Sequence, residues 1–166
     1  MSDVLVRPAR AGELDATGAL TLRAYQADDY FATGVPSSYA DTLADARSRY
    51  DHAELLVAVD GDERLLGTVT VARPGTRYSE VSRDGELEFR MLAVDPAARR
   101  RGVGEALVRA VLDRARELDL VSAVLCCQER MPALHRLYER LGFRRLPERD
   151  WNPVPAVRLI VYAIDV

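Results

Sequence analysis

The sequence predicts an α/β (α+β) fold: a single mixed, mostly antiparallel sheet flanked by helices, spread over residues 1–166 as one domain. Two apolar, β-branched runs, "ELLVAVD" and "RLLGTVTVAR", are separated only by "GDE", which is the pattern of a β-hairpin. Stretches of helical period stand before and after them. A run of apolar residues, "ELEFRMLAV", then feeds through a glycine-containing turn into another helical pattern, as strand, turn and helix do in mixed sheets.

Taken in order, "VLVRPA" reads as a first strand closed by Pro8. In "AGELDATGALTLRAYQADDYF", Leu14, Ala19, Leu22 and Tyr25 recur at near-helical spacing, with Gly18 as a weak point in the helix. "SYADTLADARSRY" repeats the pattern with Tyr39, Leu43 and Ala46, and Ser37 or Ser38 is placed to cap it. The hairpin follows, then the polar connection "PGTRYSEVSRDG", then the strand "ELEFRMLAV", which Asp95-Pro96 ends. Val103, Leu107, Val111, Ala115 and Leu118 form one helical stripe, "LVSAVLCC" is an apolar strand, and "MPALHRLYERLG" is a helix stopped by Gly142. "FRRLP" and "AVRLIVYAIDV" supply a short and a long strand, with "ERDWNPVP" as the loop between them.

Composition narrows the function. With 48% hydrophobic and 30% charged residues the chain has ordinary globular composition, and a net charge of -3 argues against a broad nucleic-acid footprint. All 23 basic residues are arginine, so every cation is a permanent fork suited to phosphate or carboxylate. The N-terminal stretch lacks the apolar core of a signal peptide and no apolar run reaches membrane-span length, which predicts a cytoplasmic protein without membrane partners. Cys126 and Cys127 are adjacent and read as reduced core thiols. With His52 and His135 as the only histidines, no metal-ligand spacing is visible, so no metal is expected.

The stretch "PAARRRGVGEAL" concentrates charge in this acidic chain. A helix N-terminus has unpaired N–H groups and partial positive charge, glycines at 102 and 104 remove the Cβ atoms that would keep a ligand away, and Arg99, Arg100 and Arg101 add fixed charge. A diphosphate fits that description; a simple turn with solvated arginines fits it too. A Walker loop is excluded because there is no lysine, and the dinucleotide fingerprint fails because Leu107 stands where its third glycine belongs.

Arg99-x-x-Gly102-x-Gly104, preceded by "LAVDP" and followed by "LYERLGF", resembles the GNAT superfamily of acyl-CoA-dependent N-acyltransferases over roughly residues 86 to 145. The resemblance implies acetyl-CoA as co-substrate and an amine-bearing acceptor. It implies that Leu92, Ala93 and Val94 offer backbone groups to the pantetheine arm, and that Arg99, Arg100, Arg101, Gly102, Val103, Gly104 and Glu105 form the pyrophosphate cradle. It further implies Glu88 as the base that takes the amine proton, directly or through water, and Tyr138 as the hydrogen-bond donor to the leaving sulfur. A backbone N–H of the same strand is expected to meet the oxyanion.

Strict alternation puts Glu86, Glu88, Arg90, Leu92 and Val94 on one face of their strand, where an ion pair of Glu88 with Arg90 is the structural alternative. Tyr138 shares a helical stripe with Met131, Leu134 and Leu141, so a core role competes with a catalytic one. Two positions depart from the family: Met131 replaces an asparagine, and Cys126 stands where one branch has a glutamate. His135 is expected on an exposed helix face. Tyr25, Asp28, Asp29, Tyr30, Phe31, Tyr39, Asp150 and Trp151 fall in regions that form the acceptor side of such folds. An N-acetyltransferase is the expected activity, a non-catalytic acyl-CoA sensor or an enzyme for another acyl-CoA is the alternative, and a homodimer stays open.

Overall fold

In the computed structural model, which describes residues 3–166, one eight-stranded sheet runs through the molecule. Its strands are β1 (Leu5–Pro8), β2 (Glu54–Val59), β3 (Leu65–Ala72), β4 (Glu86–Val94), β5 (Ser122–Gln128), β6 (Arg144–Arg145), β7 (Trp151–Val154) and β8 (Val157–Asp165). They lie in the order β1-β2-β3-β4-β5-β8-β6, with β7 also paired to β8. Every pairing is antiparallel except β4 with β5. Five helices accompany them among the described residues: α1 (Leu14–Ala27), α2 (Tyr39–Ala44), α3 (Ala46–His52), α4 (Val103–Glu117) and α5 (Pro132–Arg140).

The hairpin β2–β3 forms where "GDE" breaks the apolar run: Asp60 turns the chain by accepting from the N–H groups of Asp62 and Arg64. On one face of the sheet, α4 buries Val103, Leu107, Val111 and Ala115 against Val69, Val71, Leu87, Phe89, Ala123 and Leu125. Each fully buried aliphatic side chain there contributes about 1.5–3 kcal/mol relative to exposure. On the other face, Leu14 and Ala46 cover Leu55, Val57 and Val59, while Leu20 and Ala24 of α1 reach Ala93.

Several local expectations are corrected. The α1 stripe is Leu14, Thr17, Gly18, Leu20, Thr21 and Ala24, with Ala19 exposed, because the helix buries its small residues against α2. Gly18 is the contact point: a Cβ there would lie 2.0 Å from the Ala44 carbonyl oxygen.

The second helical stretch is two short helices, not one. Asp45 leaves helical geometry at ψ 73° and caps α3 by accepting from Ser48 N–H, whereas Ser38 makes no side-chain cap on α2. The buried Arg49 holds this corner by donating to the carbonyls of Thr42, Leu43 and Asp45. "ERDWNPVP" is not all loop, because β7 pairs along β8 there.

Alternation along β4 breaks at a β-bulge. Thr70 pairs with Arg90 but Thr68 with Ala93, and Met91 takes a positive φ of 54°. Leu92 and Val94 therefore pack toward α4 with Leu87 and Phe89, while Ala93 turns toward α1. The single face that alternation gave to Glu86, Glu88, Arg90, Leu92 and Val94 does not exist.

Candidate active site

The site begins as a gap in the sheet. β4 and β5 pair only at Glu86↔Ser122, Leu87↔Ala123 and Glu88↔Val124, yet both strands continue beyond. Past that point they diverge, and the fork opens into a cleft of about 640 Å³ lined by Phe89 to Val94 on one side and Leu125 to Gln128 on the other. Volumes of this size suit organic ligands. The bulge sits on the rim of the fork and presents Leu92, Ala93 and Val94 to it. Strand edges released from a partner can receive an extended chain as an added strand.

At the mouth of the cleft α4 starts without a side-chain cap. Gly102 is its N-cap at φ 75°, and the first intrahelical hydrogen bond runs from Ala106 N–H to the Gly102 carbonyl at 3.0 Å. The N–H groups of Val103, Gly104 and Glu105 thus make no hydrogen bond to any described residue, and a Cβ at position 102 would point into open space. Unpaired amides, an aligned helix dipole and an absent side chain are what an anionic oxygen cluster needs.

Charge around this mouth is distributed differently from the sequence expectation. Arg99 is forked onto Asp28 at 2.7 and 3.1 Å, and Arg101 onto Asp3 at 3.0 and 3.2 Å. Arg100 makes no ion pair among the described residues and lines the cleft, joined by Arg130, Arg136 and Arg140, which are likewise free of carboxylate partners. Those last three escaped sequence reasoning, although the i,i+4 spacing of Arg136 and Arg140 on one helix would have signalled a shared face.

Tyr138 projects from α5 into the floor of the cleft. The residue is only 3% exposed, and its ring lies 6.0 Å from Phe89, 5.6 Å from Phe143 and 6.0 Å from Tyr162, centre to centre. The hydroxyl makes no hydrogen bond to a described residue. Burial lifts it well above the ordinary phenol value, so it keeps its proton across the neutral range. Gly142, at φ 98°, terminates this turn and lets Phe143 N–H return to the Tyr138 carbonyl at 3.0 Å. Met131 lines the cleft at the start of α5 and makes no side-chain cap. His135 is not on an exposed face: its Nε2 lies 3.0 Å from the Gln128 carbonyl and its ring meets Tyr162.

Glu88 is entirely buried and lies behind the cleft, not on its wall. Its Oε1 accepts the N–H groups of Glu80, Val81 and Ser82 at 2.8, 2.9 and 3.0 Å, while its Oε2 has no hydrogen-bond partner among the described residues. Arg90 pairs with Glu80 at 2.9 Å, not with Glu88. A carboxylate oxygen of Glu80, one of Glu88 and Cys126 Sγ all lie within 4.8 Å of one another, a convergence of ligand-type groups that spacing in the sequence did not reveal. Burial and the two carboxylates push the Cys126 thiol up to about 12, and burial does the same for Cys127. Both cysteines are free. Of the residues expected on the acceptor side, Tyr25, Asp28, Tyr30 and Tyr39 line the cleft, and Asp29, Phe31, Asp150 and Trp151 do not. Tyr30 packs edge-on against Tyr25 at 4.7 Å and stacks on Tyr39 at 5.9 Å.

The fork in a mixed sheet and the uncapped, glycine-started helix beside it give the cleft an open strand edge and an end suited to an anion. The chain belongs to the acetyltransferase (GNAT) family, whose pattern matches residues 20–143. It is 37% identical over 147 residues to a mycothiol acetyltransferase of Salinispora tropica, a match that covers 76% of this chain and 45% of that protein. The chain spans less than half the length of the curated relatives it matches.

Among solved structures it resembles a GNAT-family acetyltransferase of Staphylococcus aureus Mu50, with TM-score 0.72, 13% identity and 98% of both chains covered. It also resembles the PaiA N-acetyltransferase of Thermoplasma acidophilum in complex with coenzyme A, with TM-score 0.69, 12% identity, and 97% of this chain and 98% of that one covered. Among the described residues no helix is long and apolar enough to cross a membrane.

Proposed function

We propose that this chain is an N-acetyltransferase that moves the acetyl group of acetyl-CoA onto a primary amine by direct attack in a ternary complex. The observation that carries the reading is the fork itself: β4 and β5 part above an uncapped helix start, with four arginines around the opening that make no ion pair among the described residues. Those features fit each part of the donor. The edge at Leu92, Ala93 and Val94 suits the amide-bearing arm, and the amides of Val103, Gly104 and Glu105 suit the pyrophosphate with Arg100 beside them. Arg99 and Arg101 act one step back, by tying the loop to Asp28 and Asp3.

Chemically the donor supplies an activated acyl thioester. An amine of pKa about 10.4 is mostly protonated at pH 7, and freeing its lone pair costs roughly 4–5 kcal/mol. The neighbouring carboxylates, Glu80 on the cleft wall and Glu88 behind it, give that proton a place to go, and Tyr138, protonated and at the floor, donates a hydrogen bond to the departing sulfur. The tyrosine-lined side of the cleft receives the acceptor, where aromatic faces and a carboxylate favour an amine in its cationic form.

Acetyl-CoA at a hundred times its dissociation constant should stabilise the fold by about 2.7 kcal/mol, which for a chain this size raises the melting temperature by roughly 5–11 °C. NAD and ATP should not. Thiol release on adding a panel of primary amines then reports transfer. A melting shift without thiol release would make the protein a sensor, and no shift would remove the reading.

A further inference from the structure

The orphan oxygen of Glu88 and the loop that its other oxygen grips divide the work of two carboxylates that stand together. Resting on the acetyl-transfer reading above, we propose that Glu80 is the catalytic carboxylate that takes the amine proton, and that Glu88 is a positioning residue acting through it. Three observations point the same way.

Glu80 is on the cleft wall with its side chain 30% exposed, whereas Glu88 is sealed from solvent. Glu88 Oε1 is spent on three amides, and one of them is the N–H of Glu80 itself. That grip fixes the otherwise irregular connection between β3 and β4 at the residue whose carboxylate faces the cleft. Finally, Arg90 Nε orients Glu80 through Oε1, and Glu80 Oε2 makes no hydrogen bond to a described residue.

The groups that face this carboxylate come from each element packed on it. β4 supplies the carboxylate of Glu88 and the guanidinium of Arg90, β5 the thiol of Cys126, and α2 the hydroxyl of Tyr39. Burial raises Glu80 above its ordinary value, Arg90 opposes it and the Glu88 charge adds to it, so the net direction is upward and makes this carboxylate a better proton acceptor than a free one.

In the step itself Glu80 removes one N–H proton from the ammonium, which leaves the nitrogen lone pair to form the C–N bond as the thioester C–S bond breaks. The nitrogen then loses a second proton to solvent, the sulfur gains one in the field of Tyr138, and Glu80 returns its proton to solvent. The sum is one amide, one thiol and one proton released to solvent from one ammonium and one thioester.

The test is the pH dependence of kcat/KM for acetyl-CoA and a reactive amine in wild type, E80Q and E88Q, with each variant's melting temperature and its acetyl-CoA shift measured alongside to show that it is folded and loaded. E80Q is expected to lose about a hundredfold at pH 7, with the loss shrinking as pH approaches the amine's own pKa and the wild-type acid limb replaced by a rise that follows the amine's own deprotonation. In E88Q the glutamine carbonyl can still accept the same three N–H groups, so the expected loss is constant above the acid limb. The midpoint of that limb should move to lower pH, because a negative neighbour of Glu80 has been removed. An E80Q profile with the wild-type acid limb, or an E88Q loss that fades at alkaline pH, overturns the assignment while leaving acetyl transfer standing. A wild type that binds acetyl-CoA but releases no thiol with any amine overturns both.

Discussion

The core and catalytic readings of Tyr138 look exclusive from the sequence and are compatible in the structure. Its ring completes an aromatic cluster with Phe89, Phe143 and Tyr162, and its hydroxyl reaches the cleft without a partner among the described residues. The cluster positions the hydroxyl, because three neighbours fix the plane in which it can swing. Tyr138→Phe keeps the ring, so the fold and coenzyme affinity should be nearly unchanged. Turnover should fall by about tenfold to a hundredfold, the usual range for losing one proton or hydrogen-bond donor at the reacting atom. Equal turnover in the variant, measured by thiol release with an unaltered acetyl-CoA melting shift, would leave Tyr138 as core alone. The deep burial that makes the hydroxyl a weak acid also means that it acts as a donor throughout the neutral range, and the Tyr138→Phe deficit should not vary with pH there.

At the scale of elements, the tyrosine-lined side of the cleft depends on how closely α1 and α2 approach. The Ala44 carbonyl occupies the space above Gly18, and a methyl group there would sit 2.0 Å from that oxygen. Helix propensity alone favours alanine over glycine by about 1 kcal/mol. The backbone clash outweighs it, because neither helix can yield locally: α1 is packed on Ala93, and α2 is pinned through its last carbonyls by Arg49. Gly18→Ala is therefore expected to destabilise the protein by about 1–3 kcal/mol, a melting drop of roughly 2–12 °C. Gly12→Ala, with nothing within 4 Å of the added carbon, should leave the melting temperature close to wild type. Thermal melts of the two variants decide it, and equal behaviour would mean that α2 moves freely.

For the molecule as a whole, the parts written in local sequence were readable and the parts made by convergence were not. Period and punctuation marked β2, β3, β4, α4 and α5, and the glycines marked the uncapped start of α4, because each depends on neighbours in the chain. The bulge at Met91 was hidden, since nothing in "ELEFRMLAV" differs from an unbroken strand, and its hidden residue reversed the faces of Leu92 and Val94. Glu80, in a polar connection without periodicity, came into view only when Glu88 gathered its backbone.

The arginines show the same divide with a measurable consequence. The conspicuous run supplies one unpaired cation at the cleft, Arg100, and the rest of the field comes from Arg130, Arg136 and Arg140, on the far side of β5 in the chain. On the acetyl-transfer proposal, a chain of net charge -3 would attract its polyanionic donor only through a local field, and such fields are screened by salt. Raising ionic strength from roughly 0.01 M to roughly 1 M cuts the Debye length from about 30 Å to about 3 Å. Calorimetric affinity for coenzyme A should fall steadily over that range, and Arg136→Gln combined with Arg140→Gln should flatten the dependence while leaving a residual grip from the α4 amides, which salt screens far less at contact distance. A double variant whose salt slope matches wild type would place those two arginines outside the donor's field and leave the helix start and Arg100 to hold the phosphates.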